Sequence, residues 1–434
     1  MRFAHATFRT SRHAALCLLL SAAAAWAPSP AQATPSTPAA DTLKRAERER
    51  IVRETGELIR TSFAHWEGIP GDRFELRFAH WRNRALATPS RRAFSLDMRR
   101  FMAALKNGHS TFADSWMLAA DPAPLPFSLA FREGSWVVTE SVTPGLTPGD
   151  IVTRVDGEPV SVLYDSIAPL LCASSERARR MQFTLRGFLW PHEFMVETAS
   201  GASFRIVRTV RARPAPAERV VTARWIVADS IAYVSVPSFG EPSFEAAALE
   251  QVRGPLRGAR VLLVDVRGNG GGNTPRALVH ALLGGRPFVW WKEDPDKVPG
   301  GWFDRMGAAF RRSSVSGPTF GGRVVLLTDA ECGSACEDFV MPLVWSGAAV
   351  AVGDTTYGST GQPVFRDFGN GITISVSAKR AHFPDGSAFE GVGIAPDVLV
   401  SPLRADAGAA RDRTLEAALR VARTGIPMPR FAGR

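Results

Sequence analysis

The sequence predicts an α/β protein with a mainly parallel sheet, preceded by a β-rich module and an N-terminal helical lobe. Three observations carry that expectation. Between residues 216 and 405, apolar runs of strand composition (IAYVSV, VLLVDV, VVLLT) alternate with helical segments, the βαβα order of a parallel sheet. Residues 121–215 read as strands separated by turn pairs. Residues 41–120 space their apolar side chains at helical intervals.

The chain has 434 residues, 45% hydrophobic and 22% charged, ordinary for a globular protein of two or three domains. Its start reads differently. Arg2, Arg9 and Arg12 precede the apolar run AALCLLLSAAAAWA and then Ala31-Gln32-Ala33. That is a basic n-region, an h-region and an A-x-A site, so residues 1–33 are expected to be a secretory signal peptide and the mature protein to be periplasmic or secreted. The run is too short to span a bilayer comfortably, and no later stretch reaches spanning length. Cleavage would remove three arginines and no acid, taking the net charge from +10 to +7. The remaining charges are interleaved, with no lysine-rich run carrying aromatics, so nucleic acid is not an expected partner.

Cys172, Cys332 and Cys336 follow the leader, enough for at most one disulfide. The expected role of Cys332 and Cys336 is packing, with pairing of one of them to Cys172 as the alternative. Their spacing does not suit zinc, and neither a metal nor an organic cofactor is expected.

The elements follow in order. Residues 34–40 (TPSTPAA) read as a linker. A helix from Asp41 is marked by Ile51, Thr55, Leu58, Ile59, Ser62 and Phe63, and a second by Phe94, Met98, Phe101, Met102 and Leu105. Asn107-Gly108 would close that second helix and leave His109 at its C-terminal end. In residues 121–215, FSLAFREGSWVVTESV turns at Glu133-Gly134, and the strand Ile151–Val155 turns at Asp156-Gly157. In residues 216–405, helices are expected over Phe244–Val252, over Thr274–Leu283 and after Ser334, where Pro342 should kink or shorten the last. Residues 406–434 hold a helix with Leu415, Ala418, Leu419 and Ala422, closed by Gly425, and a tail.

Two stretches carry chemistry. VLLVDVRGNGGGN (Val261–Asn273) ends a buried strand in a turn with four glycines. It lacks the Lys-Ser/Thr of a P-loop and the third glycine of G-x-G-x-x-G, so it is not read as a phosphate cradle. Such a turn allows close backbone approach and an N–H aimed at an oxyanion. TDAECGSACEDF (Thr328–Phe339) sets Ser334 between Gly333 and Ala335 where strand gives way to helix. Ser334 there is either a helix cap or a nucleophile beside free N–H groups. A serine nucleophile needs a base, and imidazole suits neutral pH. The histidines beyond the leader are His65, His80, His109, His192, His280 and His382. Glu337 falls in the first helical turn, where a carboxylate suits the dipole.

Asp265–Gly272 (DVRGNGGG), Cys332–Phe339 (CGSACEDF), Gly353–Gln362 (GDTTYGSTGQ) and Asp385–Val400 (DGSAFEGVGIAPDVLV) together resemble the tail-specific, C-terminal processing peptidase family. GLTPGDIVTRVDGEPV resembles the second half of a PDZ domain, and the likeness spans roughly residues 90–402. It implies a ClpP/crotonase-like catalytic core over 216–405, a PDZ-like domain over 121–215 and a helical lobe over 41–120. The implied activity is serine-type hydrolysis of peptides or protein C-terminal tails, without a cofactor. On this resemblance Ser334 is the nucleophile, and Ala335 with Gly271 or Gly272 forms the oxyanion hole. The family's Ser–Lys branch has lysine where this chain has Ser359. KNGHSTF (Lys106–Phe112) is instead similar to the branch with a tricorn-like core, which makes His109 the base and Glu390 the acid. His382, near Glu390, is the rival base, and Ser359 is expected to contribute little. Retinoid-binding relatives supply the alternative function, a non-catalytic peptide- or lipid-binding protein on the same scaffold. Substrate sequence and oligomeric state stay open.

Overall fold

The computed structural model describes residues 42–88, 90–209, 219–293 and 317–424. The expected signal peptide and linker, and Gly425 with the tail, lie outside the described residues. The helical lobe contains α1 (Arg45–Ser62), α2 (Gly71–Ala87) and α3 (Arg91–Ala103). α2 was not among the expected elements, yet it buries Phe74, Phe78, Trp81 and Ala85 along one face. Trp81 stacks on Phe101 of α3 with ring centres 4.0 Å apart, and each such buried aromatic contributes roughly 1.5–3 kcal/mol. Ser90 caps α3 by accepting from Ala93 N. The helix ends earlier than expected. It stops at Ala103, and Lys106 (φ 51°), not Asn107 or Gly108, takes the left-handed turn. The chain then forms β1 (Thr111–Asp114) and α4 (Ser115–Ala120).

The second unit is antiparallel throughout. β2 (Phe127–Arg132), β3 (Ser135–Ser141) and β4 (Ile151–Val155) are followed by a two-residue β5 (Glu158–Pro159), then α5 (Val160–Ile167) and α6 (Glu176–Met181). β6 (Glu193–Thr198) and β7 (Ser203–Val207) complete the order β2-β3-β4-β6-β7, with β5 on β4. Both turn pairs read from the sequence have positive φ: Glu133-Gly134 (47° and 78°) and Asp156-Gly157 (50° and 79°).

The third unit contains β8 (Thr222–Val227), β9 (Ile231–Ser235), α7 (Pro242–Arg253), β10 (Val261–Asp265), α8 (Arg276–Leu282) and β11 (Lys292–Glu293). It continues with β12 (Arg323–Thr328), α9 (Ala335–Trp345), β13 (Ala349–Gly353), β14 (Pro363–Asp367), β15 (Ile372–Ser377), β16 (Ala381–His382), β17 (Val398–Leu399) and α10 (Arg413–Thr424). The central sheet has the order β17-β13-β12-β10-β9-β8. Its pairings are parallel except β8 on β9. Side chains alternate between two cores. Val234, Leu262, Val264 and Leu326 face the layer that holds α9. Ile231, Leu263, Val325 and Leu327 face α10 with its Ala418 and Val421. Burial on both faces explains why these strands read as continuous apolar runs. Pro342 does not cut α9 short: the helix runs through it to Trp345, and Ser346 N donates to Pro342 O.

This architecture sets the site. β1 of the helical lobe pairs with β15 in a small sheet of order β1-β15-β14. That pairing carries the segment just before β1, with His109, onto the third unit.

Candidate active site

β12 ends at Thr328 and α9 begins at Ala335, so residues 329–334 form the turn between strand and helix. Asp329 fastens this turn to the glycine-rich loop by accepting from Gly268 N, Glu331 N and Cys332 N. Ser334 has φ 56° and ψ −123°, a conformation non-glycine residues rarely hold. Several contacts impose it. Ser334 N donates to Ser359 O at 3.0 Å and to Glu337 Oε2 at 3.3 Å. A disulfide joins Cys332 to Cys336 across the Ser334 turn, with Cα atoms 5.5 Å apart. This corrects the packing role expected for the two cysteines, and the pairing with Cys172, which is free and buried. The start of a helix brings residues four apart within disulfide range.

Ser334 Oγ lies 3.1 Å from His109 Nε2, and His109 Nδ1 lies 2.8 Å from Ser359 Oγ. Ser359 Oγ in turn donates to Glu390 Oε1 at 2.8 Å. The directions of these bonds fix the tautomer. A Ser359 hydroxyl that gives its proton to Glu390 can only accept from Nδ1–H, which leaves Nε2 free to take the proton of Ser334. Glu390 therefore reaches the ring through Ser359, not directly. Ser359, expected to contribute little, is the middle of the chain. In the described structure the histidine bonded to Ser334 is His109, while His382 sits in β16, paired with Lys292.

Three further residues hold the relay, and none was singled out for it from the sequence. Asn107 donates to Glu390 Oε1 at 2.8 Å and accepts from His109 N at 2.9 Å and from Ser110 Oγ. Ser174, on the loop before α6, donates to Glu390 Oε1 and accepts from Gly108 N at 2.8 Å. Glu337 accepts from Thr356 Oγ1, Gly358 N at 2.7 Å and Ser359 N at 3.0 Å, which ties the Ser359 loop to α9. Its position in the first helical turn signals a helix-end carboxylate, but nothing local signals these long-range donors. Gly108 is needed for closeness, since a Cβ there would stand 3.1 Å from Ser359 Oγ.

The candidate oxyanion donors separate. Gly271 N donates to Asn269 Oδ1 at 2.9 Å and is thereby engaged. Gly272 N and Ala335 N donate to no protein acceptor among the described residues. Gly271 instead provides room. A Cβ there (φ 98°) would lie 2.7 Å from Ala335 N and 2.8 Å from Ser334 Cβ.

Burial controls the charges. It lowers His109 to about 4, against the attraction of Asp338. The expected place of His109 at a helix C-terminus, where the dipole would favour imidazolium, is corrected, because α3 ends at Ala103. Burial raises Glu390 to about 7, opposed by the hydrogen bonds from Ser174 and Ser359. At neutral pH the imidazole is therefore unprotonated and able to accept a proton. Among the described residues no group of three His, Cys, Asp or Glu side chains is placed to hold a metal ion.

Comparison with known proteins bears on the same residues. Residues 230–400 match the model of peptidase family S41, a segment that holds Ser334, Ser359 and Glu390 but not His109. The chain is 24% identical over 321 residues to tricorn protease homolog 2 of Streptomyces coelicolor, covering 68% of this chain and 25% of that one. It thus spans about a quarter of that relative's length. Its fold is similar to that of mature CPAF complexed with lactacystin, with a TM-score of 0.60 at 13% identity over 87% of this chain and 98% of that one. It is also similar to the photosystem II D1 C-terminal processing protease, with a TM-score of 0.50 at 19% identity over 86% and 97% of the two chains. At such identities these likenesses speak for the fold alone. The family match is what bears on the chemistry: residues 230–400, less than half of the chain, are similar to peptidase family S41.

Proposed function

We propose that the chain hydrolyses peptide bonds in peptides or protein C-terminal tails with Ser334 as nucleophile, His109 as base and Glu390 acting through Ser359. The observation that carries this reading is the pair of hydrogen bonds at His109, one ring nitrogen on Ser334 Oγ and the other on Ser359 Oγ. In the proposed first step Ser334 Oγ attacks the scissile carbonyl carbon while its proton passes to His109 Nε2. The carbonyl electrons move onto oxygen, where Gly272 N–H and Ala335 N–H receive the charge. Collapse breaks the C–N bond and the imidazolium returns its proton to the leaving amine. Water then repeats the sequence and releases the acyl group. Imidazolium is supported meanwhile by Nδ1–H donated to Ser359 and by Ser359 donated to Glu390.

A fluorophosphonate probe tests the nucleophile. Wild type should be labelled, and Ser334→Ala should lose labelling while keeping its circular dichroism spectrum. Equal labelling of both removes Ser334 from the mechanism, and no labelling of wild type favours a non-catalytic peptide- or lipid-binding protein.

The finer parts of the reading rest on sequence. Arg2, Arg9, Arg12, the apolar run and Ala31-Gln32-Ala33 support export, with a mature N-terminus at Thr34. The β-rich unit of residues 121–215 is read as PDZ-like, and recognition of a substrate's C-terminus is assigned to it. Binding of peptides with free and with amidated C-termini separates tail recognition from general peptide cleavage. Equal affinities would exclude carboxylate capture.

A further inference from the structure

Asp338 stands in the first turn of α9, four residues after Ser334, and is 8% exposed. Its backbone N donates to Ser334 O at 3.1 Å. Its carboxylate takes three hydrogen bonds, all from uncharged donors. Oδ2 accepts from Thr274 Oγ1 at 2.9 Å, and Oδ1 accepts from Trp291 Nε1 at 2.8 Å and from Thr360 Oγ1 at 3.0 Å. Each donor adjoins a different part of the site. Thr274 comes two residues after Gly272, and Thr360 directly follows Ser359. The Trp291 ring lies 4.4 Å, centre to centre, from that of Phe389, the residue before Glu390. The start of the glycine-rich loop is fastened to the Ser334 turn by Asp329 and by Gly333 N, which donates to Asn269 O at 3.1 Å. Its end is tied to the segment after β9 by Asn273 N, which donates to Phe239 O at 2.7 Å, and to α9 by Thr274. Glu337 reaches the Ser359 loop, whereas the reach to the end of the glycine-rich loop belongs to Asp338.

A carboxylate withdrawn from water is costly, and a helix start and three donors offset only part of that cost. The residues that follow on α9 (Phe339, Val340, Met341) fill their space with apolar side chains. What a carboxylate does that they do not is hold three separate segments at fixed distances from one helix. We propose that Asp338 is a positioning residue, which sets the oxyanion donor Gly272 N–H against Ser334, His109, Ser359 and Glu390. It acts on the transition state without touching substrate, and the role rests on the serine mechanism proposed above. An oxyanion donor works only within hydrogen-bond distance of where the charge will sit, and a displacement of about 1 Å costs on the order of a hundredfold in rate.

The kinetics of fluorophosphonate labelling of the full chain test the role. Labelling needs the same base and oxyanion donors, and its saturation separates the first-order step, kinact, from the binding constant, KI. Asp338→Ala, which removes every acceptor, should lower kinact roughly a hundredfold and leave KI within about twofold. Asp338→Asn should stay within about tenfold of wild type, because its oxygen keeps the Trp291 and Thr360 bonds and its amide N–H donates to a turned Thr274 hydroxyl. Thr274→Val should lower kinact about tenfold in wild type and leave it unchanged in Asp338→Ala, because its effect passes through the carboxylate. If Asp338→Ala does not fold, Thr274→Val and Thr360→Val carry the test, each lowering kinact with KI held. A folded Asp338→Ala with wild-type kinact, or a Thr274→Val loss of equal size with and without Asp338, overturns the role. So does an Asp338→Asn as slow as Asp338→Ala, which would assign the loss to charge. A wild type that takes no label removes the serine mechanism and this role with it, whereas a labelled wild type with indifferent variants removes this role alone.

Discussion

Ser359 has no basicity of its own, yet it is 0% exposed and hydrogen-bonded to both His109 and Glu390. Its removal would leave Nδ1–H and a Glu390 oxygen without their shared partner, and both groups lie in a buried relay where that is costly. His109→Ala should lose on the order of 10⁴ in kcat, as loss of a triad base does. Ser359→Ala should lose roughly tenfold to a hundredfold in kcat with KM held, because orientation is lost but the base remains. A Ser359→Ala enzyme with unaltered kcat would return that residue to the bland role expected from the sequence. The pH profile separates the two titrating groups. His109, lowered to about 4 by burial, must be neutral to act, so kcat/KM should fall steeply only near that value. Glu390, raised to about 7, should add a shallower decline below neutrality that Glu390→Gln removes. One steep limb at pH 6–7 that survives Glu390→Gln would mean that His109 titrates as an unburied histidine.

The turn that holds Ser334 shows how far a sequence can be read at the level of the element. Ser334 between Gly333 and Ala335 was legible, because a strand-to-helix junction with small neighbours is a local pattern. α2 was equally legible, with Phe74, Phe78 and Trp81 at helical spacing, and went unread because no cap signal drew attention to it. The supports of the site were not legible. Glu337 acts on Thr356, Gly358 and Ser359, while Ser174 and Asn107 act on Glu390, all through contacts between distant segments. The Cys332–Cys336 bridge lies between these cases, since its spacing was visible but its geometry depended on the helix start. It encloses Ser334 at positive φ and Ala335, whose N–H is a proposed oxyanion donor. Cys336→Ser should therefore lower kcat about tenfold or more and leave KM within about twofold, because it loosens a donor aimed at the transition state. Cys172→Ser, away from the turn, is the control. Equal kcat for wild type and Cys336→Ser would make the bridge a matter of stability alone.

Across the whole molecule, burial of ionisable groups sets opposing pH dependences. Glu337 is 0% exposed, and burial raises it to about 8 against the hydrogen bonds from Thr356, Gly358 and Ser359. A carboxyl raised above its unfolded value contributes stability that is full below about 4.5 and is lost as pH rises through 8. Burial lowers His65 to about 4, as it does His109. A depressed histidine contributes stability that is full above about 6.5 and is lost as pH falls through 4. The two limbs oppose each other between about pH 4.5 and 6.5, and above 6.5, where only the carboxyl limb remains, stability should decline. Glu337→Gln isolates the alkaline limb. It should lower Tm at pH 5.5, because an amide offers one acceptor oxygen to a site built from donors and turns its own N–H groups toward them. It should also flatten the decline between pH 6.5 and 9, because no charge then forms in the interior. A variant that loses Tm at pH 5.5 yet keeps the wild-type slope would place the alkaline limb on another group, with Glu331, raised to about 8 by burial and then by Asp329, the next to replace.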